Sequence, residues 1–133
     1  MEFSADVKNI IMAAYNEAKS RRHEYLTPEH ILYTSLYFES GQDILYHCGA
    51  DIEEMKKDLE NHFNKFFIPI LEENIDPIES IGLRNIIANS YFNSTDEHKK
   101  EITIGDIYLA ILDEKDSFAA YFISKQGITK LDI

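Results

Sequence analysis

An ungapped internal repeat constrains this chain more than any other feature. Residues 8–31, KNIIMAAYNEAKSRRHEYLTPEHI, align with residues 84–107, RNIIANSYFNSTDEHKKEITIGDI, at a constant offset of 76. Six of the 24 positions are identical: Asn9/Asn85, Ile10/Ile86, Ile11/Ile87, Tyr15/Tyr91, Thr27/Thr103 and Ile31/Ile107. The spacing agrees with the identities. Val7, Ile10, Ile11, Ala14 and Ala18 recur at helical intervals, and Leu83, Ile86, Ile87, Ser90 and Ser94 stand in the same five places. Each copy is thus predicted to open with a helix carrying one apolar-to-small stripe. A chain of 133 residues holding two such copies has room for one domain of two similar halves. Neither half alone could bury its apolar faces well, so the two are expected to fold together.

The punctuation extends the pattern. After each first helix come a charged corner, a threonine and a new apolar run. The hydroxyl of Thr27 or Thr103 can cap the free N–H groups of a second helix. Pro28 suits the first helical position, where a missing N–H costs nothing. Ile31, Leu32, Ser35 and Leu36 then line helix two of the first half, which Gly41 should break. Ile44, Leu45 and Cys48 mark a short third helix ended by Gly49. Asp51 caps a fourth, with Ile52, Met55, Leu59 and Phe63 inward. In the second half Ile107, Tyr108, Ile111 and Leu112 mark helix two. Phe118, Tyr121 and Phe122 mark helix three, ended by Gly127, and Thr129 caps the start of a fourth. The stretch FIPILEENIDP, residues 67–77, holds two of the three prolines and reads as a connector. No segment alternates over strand length. The expected architecture is all-α, with repeat one at 1–66, repeat two at 78–133, and a pseudo-two-fold axis between them.

Several chemistries find no support. The stretch HEYLTPEH (23–30) has the His-Glu start of a zinc-protease motif, but the second histidine should stand four residues on, and Thr27 is there. His23, His30, His47, His62 and His98 are scattered in sequence, and the single Cys48 offers no zinc-type cluster and no internal disulfide. Phosphate-binding loops and nucleophile elbows are absent from the sequence. Cys48 reads as a small buried hydrophobe, and the aromatic residues as core packing. Glu53, Glu54, Asp58 and Glu60 read as a solvated helix face. The formal charge of −11 disfavours nucleic acid and anionic membranes and favours a basic partner. The start, Met1 to Asp6, has no signal-peptide pattern, and no apolar run approaches the ~20 residues of a membrane span. A reducing, cytoplasmic setting is expected, and Asn93-Ser94-Thr95 is then an accidental glycosylation match. On these residues HEYLTPEH is a corner between two helices, with Glu24 and Glu29 near each other at a surface edge. That edge is either structural alone or a docking site for a basic residue.

The corner also carries a resemblance. RRHEYLTPEHIL resembles the RHEFMTVEHLL pattern of the Clp N-terminal domain, the double-repeat module at the front of Clp-type AAA+ unfoldases. HCGAD (47–51) resembles that family's ACGAD corner, and TIGDIYLAIL (103–112) its TGANVLVAIF. SFAAYFISKQGITKLDI (117–133) is similar to SQAAYLLRKHEVSRLDV of the ClpA type, the partner of the ClpP protease. The resemblance covers almost the whole chain. It implies an all-α pseudo-dimer without catalysis or cofactors of its own, monomeric in isolation, that receives protein substrates and adaptors, ClpS above all. Glu24 and Glu29 fall where the ClpA type meets a basic residue of the adaptor. Ser80 aligns with a threonine of the same region, and His23 with the family's histidine. The family's arginine falls on Asn85, with Arg84 one position earlier, a turn of about 100° around a helix. The ATPase modules of the full unfoldase are absent from these residues. The chain is thus expected to be either a part of such an unfoldase or a free-standing accessory protein of a Clp protease. Its end near the last helix, without a linker, favours the former.

Overall fold

The computed structural model describes residues 2–92 and 101–133. Ser94, His98 and the Asn93-Ser94-Thr95 match lie outside the described residues. The first half contains β1 (Glu2–Phe3), α1 (Ala5–Ser20), β2 (Tyr25–Leu26), α2 (Pro28–Ser35), α3 (Glu39–His47) and α4 (Ile52–Phe66). The second contains β3 (Ile78–Glu79), α5 (Ile81–Phe92), β4 (Glu101–Ile102), α6 (Ile104–Asp113) and α7 (Phe118–Lys125). None of these helices is long and apolar enough to cross a membrane.

The fold is all-α, and side-chain caps open most of its helices. Ser4 Oγ accepts the Val7 N–H at 3.1 Å to open α1, and 76 residues on Ser80 Oγ accepts the Leu83 N–H at 3.1 Å to open α5. Thr27 and Thr103 each stand in a reciprocal capping box, with His30 and Asp106 as the partners three residues later. Asp51 Oδ1 accepts the Glu54 N–H at 3.0 Å at the start of α4. Gly49 and Gly127 take φ of +96° and +80° after α3 and α7, a left-handed exit that favours glycine.

The short strands link the two halves. β1 pairs in parallel with β4, matching Glu2 to Glu101, and β2 pairs in parallel with β3, matching Tyr25 to Ile78. Ile78 is the repeat counterpart of Glu2, and Glu101 that of Tyr25. Exchanging the halves therefore converts one ladder into the other, the reciprocity a two-fold axis requires. Two-residue ladders leave no alternating pattern, so the sequence does not announce them.

The core lies where α2 and α6 meet between the halves. Every residue of α2 is buried, as are Ile104, Ile107, Tyr108, Ala110 and Ile111 of α6. Tyr108 is fully buried, and its hydroxyl donates to Ser35 Oγ at 2.7 Å, which donates on to Leu32 O at 2.6 Å. Helix α4 packs on α7 and α3 on α6, so the halves interlock at several levels.

Four sequence expectations need correction. Gly41 does not break a helix: it lies inside α3, buried, where an added Cβ would stand 2.3 Å from Ser35 O and 2.6 Å from the Tyr108 hydroxyl. Its role is close approach. Thr129 opens only a turn: its N–H and hydroxyl meet Asp132 Oδ2 at 2.7 and 3.1 Å, and α7 is the last helix among the described residues. Cys48 is half-buried at the end of α3, with its thiol donating to Asp132 O at 3.1 Å. The acidic face of α4 is engaged: Asp58 pairs with Lys125 at 2.8 Å, and Glu60 Oε1 accepts from the Tyr33 hydroxyl at 2.7 Å.

Candidate functional site

The corner HEYLTPEH is built by a left-handed residue and a ladder. Arg22 takes φ of +62°, turning the chain out of α1. Its carbonyl accepts the Ile70 N–H at 2.8 Å and its Nη2 donates to Leu71 O, so the connector is tied to the corner. The chain then enters the β2–β3 ladder. The Ile78 N–H donates to Glu24 O and the Ser80 N–H to Leu26 O, both at 3.0 Å. Glu24 is thereby brought beside the start of α5, although 56 residues separate it from Ser80.

The expected site residues fall into three groups. Glu24, Arg84 and Asn85 are exposed. The Glu24 carboxylate has no hydrogen-bond or ion-pair partner among the described residues, while Arg84 Nε lies 3.9 Å from Glu79 Oε2. Ser80 is half-buried and its hydroxyl caps α5. His23 and Glu29 are buried.

Glu29 corrects the expected picture of two carboxylates on one edge. It is 8% exposed, and its Oε2 accepts the Ala119 N–H at 3.2 Å, in the first turn of α7. It serves as a remote cap for that helix. Burial raises its pKa, and the hydrogen bond from Ala119 partly offsets the rise. Position 29 lies in the first turn of a helix buried all round, which periodicity reads as an exposed helix start.

His23 and His30 form a pair that the sequence does not reveal. His23 Nδ1 lies 2.8 Å from His30 Nε2. The Thr27 N–H donates to His30 Nδ1 at 3.0 Å, and the Thr27 hydroxyl lies 2.8 Å from the same atom. Because Nδ1 accepts, His30 carries its proton on Nε2 and donates to His23 Nδ1. Both rings are therefore neutral links in one chain of hydrogen bonds. Burial is the main cause that lowers the pKa of His30 to about 3 and of His23 to about 4, with Arg21 adding to both. His30 stacks on Phe63 at 4.8 Å and His23 tilts on Phe67 at 4.7 Å. With three of its four ring nitrogens engaged, the pair is part of the fold's wall, and no group of three metal-ligating residues exists among the described residues.

Sequence reasoning missed the apolar flank of this corner. Beside Glu24 lies a cleft of about 370 Å³, lined also by Tyr25, Phe66, Phe67 and Ile68. Phe66 ends α4 and Ile68 is the second residue of the connector, and both are exposed. The available signal was FNKFFIPI (63–70), an apolar run leading into a segment read as a linker. The corner thus offers an unpaired carboxylate, a polar helix start and an apolar cleft. Such a set suits equilibrium binding.

Comparison with known proteins agrees with this fold. The family model described as the Clp repeat (R) N-terminal domain matches residues 2–126. A ClpA homolog protein of Fuscovulum blasticum is 26% identical over 132 residues, which is 98% of this chain and 17% of that protein. The chain therefore spans about a sixth of that relative's length. The Hsp104 N-terminal domain from Candida albicans superposes with a TM-score of 0.83 at 14% identity, covering 99% of this chain and 86% of that one. A ClpV N-domain in complex with a VipB peptide superposes with a TM-score of 0.77 at 22% identity, covering 98% and 81%.

Proposed function

This chain belongs to the Clp repeat (R) N-terminal domain family, and from that membership we propose that it is the docking domain of a ClpA-like ATP-dependent unfoldase feeding the ClpP protease. It acts by binding: the Glu24 edge captures a ClpS-type adaptor, and tethering raises the local concentration of the adaptor and its protein substrate at the unfoldase. The observation that carries this reading is the β2–β3 ladder. It sets the exposed, unpaired carboxylate of Glu24 beside the start of α5, with Arg84 and Asn85 on that helix's exposed side. The ClpV N-domain, which shares this fold, holds a peptide of VipB, and this supports a binding role for a domain of this shape. The single repeat carrying HEYLTPEH and the boundaries 1–66, 67–77 and 78–133 are part of the same proposal.

The test is a calorimetric titration of the domain with the ClpS-type adaptor of the same organism, at low and moderate salt. Saturable binding that weakens with salt is expected, because a charge at the rim acts through long-range attraction. Glu24→Lys is expected to weaken it by an order of magnitude or more. Unchanged affinity in that variant would remove Glu24 from the site, and no binding at either salt would remove the adaptor.

A further inference from the structure

We propose that the segment docking at the Glu24 edge runs on across the Phe66 ring, and that it is a basic, apolar stretch of a partner protein. This rests on the docking reading above and names the partner's chemistry. Phe66 is 59% exposed and lines two clefts. One is the cleft beside Glu24. The other, about 220 Å³, is bounded by His62, Phe118, Tyr121 and Phe122 at the junction of α4 and α7. Ile68 at 89%, Phe118 at 50% and Tyr121 at 54% exposure widen the apolar surface around them. Phe66 and Phe118 stack at 6.1 Å and 19°, so the ridge is ordered by its own packing. Aromatic side chains held in place on a surface are typical anchors for a partner.

Charge selects the occupant. Asp58, at the α7 end, is already held by Lys125 at 2.8 Å. Arg22, two positions before Glu24, turns its guanidinium to Leu71 O, and Arg84 lies toward Glu79. Glu24 is left as the open carboxylate at its end of the surface, while at the α7 end Lys65 Nζ lies 5.6 Å from the Phe66 ring centroid and disfavours a second cation there. The geometry therefore calls for a cation at the Glu24 end and large apolar side chains on both sides of Phe66. A second copy of this chain fits poorly, because two molecules of net charge −11 repel.

The experiment is a heteronuclear NMR titration of the labelled domain with a 12-residue peptide in which one lysine precedes a leucine and a phenylalanine. A control peptide carries glutamate in place of the lysine. Shifts clustered at Glu24, Phe66, Ile68 and Tyr121 are expected with the first peptide and none with the second. Ile68→Asp, at a site too exposed to matter for folding, should weaken binding tenfold or more. Failure of the lysine peptide to bind, shifts elsewhere, or indifference to Ile68→Asp would each overturn the proposal. The adaptor separates this inference from the reading it rests on. Adaptor affinity lowered by Glu24→Lys but not by Ile68→Asp keeps the docking role and sinks the Phe66 surface. Peptide binding at Phe66 with no adaptor binding keeps the surface and sinks the adaptor.

Discussion

Glu24 and Glu29 stand five residues apart in one motif and do different work. Glu24 faces solvent without a partner among the described residues, and Glu29 closes the N-terminus of α7 through Ala119. Glu29→Ala should therefore cost stability, about 1–2 kcal/mol for a lost cap in a buried setting, and change adaptor affinity less than twofold. Urea denaturation and the same titration would check both halves of that statement. A large loss of affinity with stability intact would return Glu29 to the binding edge. The histidine pair makes a second residue-level prediction. Both folded pKa values lie below the ordinary value of 6.5, at about 4 for His23 and about 3 for His30. Below pH 6.5 the unfolded chain takes up protons that the folded chain refuses, so stability is full above that pH and falls as pH drops toward 4. His62, also lowered by burial, adds to the fall, and Glu29, raised by burial, opposes it. His30→Gln keeps a capping-box residue and removes the titration. Its melting temperature should be lower at pH 7 and should depend less on pH between 6.5 and 4 than that of the wild type. An unchanged pH slope would sink this account.

At the scale of elements, legibility followed the cooperativity of the signal. The helix starts at Thr27, Asp51 and Thr103 were readable because each is encoded by one cap at a fixed distance from an apolar stripe, whereas α3 starts at Glu39 with no side-chain cap to mark it. Gly49 and Gly127 were readable because a left-handed exit needs glycine. Gly41 was misread because its reason is a close approach, to the backbone of Ser35 and to the hydroxyl of Tyr108, 67 residues away, that no local pattern records. The apolar flank at Phe66 and Ile68 was missed because exposure of an aromatic depends on what fails to cover it, and no local pattern records that. The glycines give a paired test. Gly41→Ala would place a methyl against the backbone of Ser35, and an expected loss of about 2–3 kcal/mol outweighs the propensity gain of up to ~1 kcal/mol. At Gly105, in the first turn of α6, the nearest atom to an added Cβ is Ile44 Cδ1 at 3.5 Å. Gly105→Ala should thus be neutral or stabilising by up to ~1 kcal/mol. Equal effects of the two, read from chemical denaturation, would contradict the packing described for α3.

At the scale of the whole molecule, the two halves should unfold as one cooperative unit. Both ladders, the Tyr108–Ser35 hydrogen bond and the α4–α7 contact each need one partner from either half. Polypeptides 1–77 and 78–133 made separately should show little helix by circular dichroism. The intact chain should unfold in a single transition by every probe. Two separate transitions would show that the halves are independent.

The exchange symmetry of the ladders has a consequence for valency. Two identical halves would build the corner twice, and an adaptor could sit on either face. The halves have diverged at that point: the sequence counterpart of Glu24 is Lys100, and that of Tyr25 is Glu101. A base stands where the other copy carries its acid, and an acid follows one position later. A partner that reads the acid at Glu24 therefore has one such position per chain, where two unaltered copies of the corner would have given two.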